Sequence, residues 1–224
     1  MEPVQITSPI LHEDADILVV NKPPGVPSQP DPTGDPSILD ALRATHGPHV
    51  ELPHRLDRPV SGVLLAARTP EALRALSAAF ARGEVSKVYQ AIVHGRLEGA
   101  GIWEAILTRD ARARKARQAK DGEGRAVRLA WRTLRTGERY TLVELRPDQG
   151  AFHQLRAQCA AAGHPIKGDV KYGARRGERD RSIALHASAI RFTHPSTGRT
   201  MSITAPPPDT TLWRAFTTGA DPGA

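Results

Sequence analysis

The sequence predicts an α+β fold, a mixed and mostly antiparallel sheet flanked by helices and loops. Three observations carry that reading. Strand-like stretches outnumber helical ones, two pairs of them alternate across turn residues as hairpins do, and 3.6-residue spacing of apolar positions is confined to a few segments. With no fixed-period repeat and no clean linker, the 224 residues read as a single domain spanning 1–224.

DILVV (16–20) is a short apolar run that ends in NKPPGVPSQP, a strand followed by a loop stiffened by Pro and Gly. SILDALRAT (37–45) places Ile38, Leu39 and Leu42 at helical spacing, with His46-Gly47-Pro48 as its stop. GVLLAAR (62–68) reads as a buried strand. In TPEALRALSAAFARG (69–83), Thr69 caps a helix, Pro70 takes its first turn and Gly83 ends it. KVYQAIVHG (87–95) and IWEAILT (102–108) are strand-like. Residues 109–125 hold seven basic and three acidic residues with little to bury, so an exposed loop or arm is expected there. AVRLAWRTL and RYTLVELRP form a hairpin across Thr-Gly-Glu. AFHQLRAQCAAAG (151–163) is helical and HPIKGDVKYG is a turn-rich loop. A second hairpin turns at Pro195-Ser196-Thr197-Gly198, and a short last helix holds Leu212, Trp213 and Phe216.

Composition narrows the function. Lys and Arg number 31 against 24 Asp and Glu, a formal charge of +7, which favours an anionic partner such as nucleic acid. The one cysteine, Cys159, sits among small apolar residues and suits a buried thiol; neither a disulfide nor a cysteine metal cluster is expected. The nine histidines lack metal-ligand spacing, and neither a Walker loop nor G-x-G-x-x-G follows a strand, so no metal and no cofactor are expected. No apolar run reaches the roughly 20 residues that span a bilayer, and the first residues lack the pattern of a secretory leader. A soluble, cytoplasmic monomer without membrane contact is the expectation.

Chemistry concentrates in four islands: NKPPG (21–25), HRLDRPVSG (54–62), KVYQAIVHG (87–95), and HQLR with GHPIKGDVKYG (153–156 and 163–173). Each lies at the end of an element, where loops can converge on a cleft. Singly, each has a bland reading as a turn, a helix stop or a surface face. Together, DILVVNKPPGV, HRLDRPVSGVLLAA, SKVYQAIVHG, HQLR, GHPIKGDVKYG and LHASAIRFTHP resemble the RluA-type family of pseudouridine synthases, in that family's order and over about 14–206. Two stretches depart from its pattern. Pro59-Val60 stands ahead of Ser61 where the family usually has a threonine, and Gly150-Ala151-Phe152 stands where it commonly reads Gly-Arg-Thr.

The resemblance implies the pseudouridine synthase catalytic fold, with no small RNA-binding domain in front of it. It implies an RNA substrate, tRNA or ribosomal RNA, whose uridine is flipped out and isomerised without redox step or group donor. It assigns the essential aspartate to Asp57, with attack on the sugar, attack on the base and abstraction of a sugar proton all open. Arg156 is the implied partner of Asp57, since a guanidinium favours the charged carboxylate and grips it in two places. Tyr89 is expected against the target base. Arg55 would fill the gap that the flipped uridine leaves, while Leu56 points into the core. Lys22, Lys167 and Lys171 would meet phosphates, and His153 joins them as an RNA contact.

Two other classes compete. A glycosidase would need a second acid, for which only Asp169 is available in the islands. An RNA-binding or chaperone module with lost catalysis would not need the intact set Asp57, Tyr89 and Arg156.

Overall fold

Two antiparallel strands, β1 (Ile10–Glu13) and β2 (Ile17–Lys22), start the fold and are joined by a turn that Asp14 closes. Its Oδ1 accepts the backbone N–H groups of Asp16 and Ile17, both at 2.9 Å. Its Oδ2 lies 2.7 Å from His12 Nε2 and 3.1 Å from His194 Nε2. Burial alone would raise the Asp14 pKa, but these hydrogen bonds outweigh it and hold the carboxyl well below the usual range. The computed structural model describes residues 8–119 and 123–217.

After β2 come α1 (Ile38–His46), β3 (Ser61–Ala67), α2 (Pro70–Arg82), β4 (Ser86–His94), β5 (Ala100–Asp110), β6 (Lys115–Gln118), β7 (Arg125–Thr136) and β8 (Tyr140–Pro147). Then follow α3 (Gln154–Ala161), a 3-10 turn at Val170–Tyr172, β9 (Leu185–Thr193), β10 (Thr200–Thr204) and α4 (Thr211–Thr217). The chain divides into two units: Met1–Lys87 with Ala187–Pro207, and Val88–His186 with Pro208–Ala224.

In the first unit the strands run in the order β1-β2-β3-β9-β10. All seven residues of β3 are buried, and its inner partners Ile17–Val20 are fully so. One core cluster joins Ile17, Val19, Val63, Leu65, Ala72, Leu76, Ile190, Phe192 and Ile203, so α2 covers that sheet face with its apolar stripe. The helix has the ends its sequence predicts. Thr69 accepts the Ala72 N–H at 3.1 Å, and Gly83 leaves in the left-handed conformation. Helix α1 starts with a full capping box, Ser37 with Asp40, and buries Ile38, Leu39 and Leu42.

In the second unit the order is β4-β8-β7-β5-β6, with each consecutive pair antiparallel. Both hairpins expected from the sequence are present, β7 with β8 and β9 with β10. The expected charged arm needs correction. Arg109 and Asp110 end β5, Lys115–Gln118 form β6 against Leu107–Asp110, and Arg125 opens β7; residues 120–122 lie outside the described residues. The high charge of this stretch conceals a short alternation, in which Ala116 faces inward, 5% exposed, between exposed or half-exposed cations. The helix expected over 151–163 is also shorter, because its regular part starts only at Gln154.

Pairing β2 with β3 positions the catalytic candidate. Lys22, the last residue of β2, stands in register with Gly62 near the start of β3. The loop that leaves β2 and the loop that enters β3 must therefore meet at one end of this pair. Gly62 has φ +115°, and an added Cβ would lie 2.2 Å from the Ala187 carbonyl oxygen. Gly62→Ala is expected to cost about 3 kcal/mol or more through overpacking and backbone strain. Urea denaturation checks this; an unchanged midpoint would show that β9 can yield.

Candidate active site

The loop bearing Asp57 is fixed on both sides of the carboxylate. On the entry side, His54 Nε2 accepts the Leu65 N–H of β3 at 3.0 Å, and its ring stacks on Phe80 of α2 at 4.6 Å. Burial, aided by the Lys87 charge, pushes the His54 pKa down to about 3, so the ring is the neutral acceptor that this bond requires. Leu56 is 4% exposed, as the sequence implies, and its backbone exchanges two hydrogen bonds with Ser28 Oγ, at 2.8 and 3.1 Å. On the exit side, Val60 N–H donates to Asp57 O at 3.0 Å and closes a turn with Arg58 and Pro59 at its centre. Pro59 acts as a fixed φ inside the turn.

The NKPPG loop supplies the rest of the frame. Gly25 N–H donates to Arg58 O at 2.9 Å, and Arg58 Nε returns a bond to Gly25 O at 2.8 Å. The Arg58 guanidinium also reaches Thr33 Oγ1 at 3.0 Å and pairs with Asp35. Lys22 is the correction here. Read from the sequence as a phosphate contact, it is fully buried, with Nζ donating to the carbonyls of Pro23 (2.9 Å), Val26 (2.8 Å) and Arg58 (3.2 Å). Three acceptors match the three N–H donors of an ammonium. Burial lowers the Lys22 pKa to about 7, the Asp57 charge opposes the fall, and Arg58 adds to it. Lys22 therefore ties two loops together beside Asp57. Arg55 is exposed, which leaves it accessible for the expected contact with displaced RNA.

The second unit assembles another group of candidates. Arg156 on α3 and Asp169 are both buried and form a bidentate pair, with Nε to Oδ2 at 2.7 Å and Nη2 to Oδ1 at 2.8 Å. Asp169, the second acid that a glycosidase reading would need, thus has both oxygens on a guanidinium. Arg156 Nη1 lies 3.2 Å from His153 Nε2, and its guanidinium sits 5.0 Å from the centre of the Tyr172 ring. Tyr172 in turn contacts His153 Nδ1 at 3.0 Å through its hydroxyl, which also accepts the Ala116 N–H at 2.7 Å. Lys171 is half-buried in this cationic setting. Its pKa is lowered by burial first and then by Arg156, Lys115 and Arg114, against the pull of Asp169. Lys167 pairs with Glu178 and is lowered mainly by burial. Tyr89 lies half-buried on β4, in register with Leu145.

Several of these residues were not singled out from the sequence. Ser28 and His54 act through backbone bonds, which leave no pattern in composition. Asp169 as an anchor was accessible: an arginine on the inward face of a helix requires an acid, and GHPIKGDVKYG contains one. Cys159 is fully buried and its pKa is raised, chiefly by desolvation, which fits an inert thiol. Among the described residues, Asp14, Asp16 and His194 could be grouped as metal ligands. However, His194 Nδ1 accepts two backbone N–H groups at 3.2 Å, so Nε2 carries the proton and is not a metal donor.

Two tests follow from this geometry. The unfolded chain protonates His54 near pH 6.5 while the folded one resists to about 3, so stability is lost as pH falls through that window. The His54 contribution to the slope is up to about 1.4 kcal/mol per pH unit; His54→Gln should flatten the acid limb of a pH series of thermal melts. Asp169→Ala, which strands a buried guanidinium, should cost about 3–5 kcal/mol in denaturant titration, with Asp169→Asn losing less.

A family model described as RNA pseudouridylate synthase matches residues 16–161. The chain is 37% identical over 217 residues to ribosomal large subunit pseudouridine synthase C of Escherichia coli (strain K12), covering 88% of this chain and 66% of that protein. It is also 37% identical over 218 residues to tRNA pseudouridine synthase C of Salmonella typhimurium (strain LT2), covering 88% of this chain and 84% of that one. The chain thus spans 66% of the length of the ribosomal relatives it matches. Human RNA pseudouridylate synthase domain containing 1 superposes with a TM-score of 0.80 at 26% identity, covering 97% of this chain and 90% of that one. Human RNA pseudouridylate synthase domain containing 4 shares the fold, with a TM-score of 0.75 at 23% identity, covering 92% and 91%. On this evidence the chain belongs to the RNA pseudouridylate synthase family and carries the motifs of its RluA-type members.

Proposed function

We propose that the chain is an RNA pseudouridine synthase that isomerises one or more uridines in ribosomal RNA or tRNA. The observation that carries this reading is the frame around Asp57. Asp57 stands at the first position of a turn, between a buried leucine and an arginine, in a loop whose backbone is fixed by Ser28 at Leu56, by Gly25 and Lys22 at Arg58, and by His54 on β3. Such rigidity suits a group that must meet a reacting atom in one orientation. The 37% identity to synthases named for large-subunit ribosomal RNA and for tRNA supports RNA as the substrate class.

In the reaction the N1–C1′ bond of uridine breaks, the uracil turns, and C5 bonds to the same C1′. The proton that C5 loses balances the one that N1 gains, so no donor or oxidant is consumed. Asp57 acts as the nucleophile or base. Tyr89 lies against the uracil, where its ring stacks and its hydroxyl can carry a proton. Arg156, with Nε and Nη2 held by Asp169, supplies a fixed guanidinium that favours negative charge in the reaction. Arg55 takes the place of the extracted base, and Lys167 and Lys171 contribute positive charge toward phosphates. With ten aromatic residues in the whole chain, affinity rests largely on cations and falls steeply with salt.

Chemical pseudouridine maps of total RNA from cells with and without the gene give the direct test. At least one site is expected to disappear on deletion and to return with the wild-type gene. Asp57→Asn should fail to restore it and lower turnover by about 10³-fold or more, with the thermal melt and RNA binding retained. Full biological activity of Asp57→Asn would replace this reading with an RNA-binding module. Release of free uracil would replace it with a hydrolase.

A further inference from the structure

Phe152 stands where the family commonly has threonine, and nothing in the proposed reaction uses it. It is 37% exposed, and among the described residues no other Phe, Tyr or Trp is exposed. Its neighbour His153 has a left-handed backbone, φ 51° and ψ 25°, a strained conformation for a residue with a side chain. In this conformation the two consecutive rings lie face to face, with centroids 3.9 Å apart and 17° between planes. The stack continues inward, where His153 meets the Tyr172 ring edge-on at 5.6 Å and Tyr172 lies beneath the Arg156 guanidinium.

Its outer end is different in character. The guanidinium carbon of the exposed Arg109 lies 4.7 Å from the Phe152 centroid, and Lys115 Nζ lies 5.8 Å from the Tyr172 ring. The two end rings of the stack, Phe152 and Tyr172, therefore each have a cation over them. A ring that is fixed by its neighbour and left one-third open, under a planar and movable guanidinium, is a surface on which a further flat, electron-rich group can lie. Arg156, Lys115 and Arg114 lie close enough to Lys171 for their charges to act on it, and this cationic setting favours a group borne on a polyanion.

We propose that the Arg109–Phe152–His153 stack is a platform for an unpaired nucleobase of the RNA substrate, other than the target uridine, which extends the stack over the Arg109 guanidinium or displaces it from Phe152. This rests on the RNA reading given above and adds a contact specific to this chain. Ring stacking of this kind tolerates any base, so it would favour single-stranded sequence beside the target rather than a particular letter.

The test uses the full chain and a ten-nucleotide single-stranded oligouridylate with one central 2-aminopurine, whose fluorescence is quenched on stacking. Wild-type protein is expected to bind and quench it. Phe152→Leu, which keeps an apolar side chain but loses the ring, should weaken binding about tenfold and abolish the quench, with thermal melt and salt slope unchanged. Phe152→Trp should restore both. Arg109→Ala should weaken binding and reduce the salt slope by about one. Quenching and affinity unaltered in Phe152→Leu would overturn the platform while leaving the synthase reading intact. Failure of the wild type to bind either this oligonucleotide or total RNA would overturn both.

Discussion

Much of the first unit turns on one buried ammonium. Lys22 gives up its hydration and recovers it from three backbone carbonyls, two in the loop after β2 and one in the turn that holds Asp57. Removing a cation from water costs several kcal/mol, and only a complete set of acceptors and a nearby carboxylate offset that. The constraint works in both directions. The loops must adopt these paths to satisfy the lysine, and the lysine must be there because otherwise the carbonyls would point at nothing. The Pro and Gly residues of NKPPG reduce the entropy lost when the loop settles.

The second unit repeats the theme with a different pair. Arg156 and Asp169 are nearly inaccessible, and replacing both with apolar residues would be the simpler route to stability. A buried, bidentate guanidinium instead has a fixed direction. His153 and Tyr172 hold its other surfaces, so its orientation is over-determined by three side chains from two segments. Stability has been set aside for direction in both units, which is what positioned chemistry requires.

The sequence made the elements legible because their signals are local. Thr69, Pro70 and Gly83 mark α2, and the alternation in the two hairpins marks their strands. The RluA-type resemblance likewise located Asp57, Tyr89 and Arg156 as residues of interest. What it left illegible is of another kind. Lys22 looks like any loop lysine until β2 and β3 are paired and its end of the strand is seen to be enclosed. The β6 strand is hidden by its charges, since only Ala116 turns inward and a single small residue makes a weak pattern. The Phe152–His153 stack depends on one positive φ that no neighbouring residue type demands.

The contact between Gly62 and Ala187 has a consequence for how the chain is made. β3 and β9 approach so closely that no side chain separates them there, yet the residues are distant in sequence. The first unit is consequently discontinuous, with Val88–His186 intervening before its sheet can be completed. At a synthesis rate of about 5–20 residues per second, the segment through α2 waits roughly 5–20 seconds for its missing strands. Throughout that interval β3, buried along its whole length in the folded unit, has an unsatisfied edge on the nascent chain. The same proximity that leaves room only for glycine at position 62 therefore delays completion of the sheet on which the Asp57 loop is built.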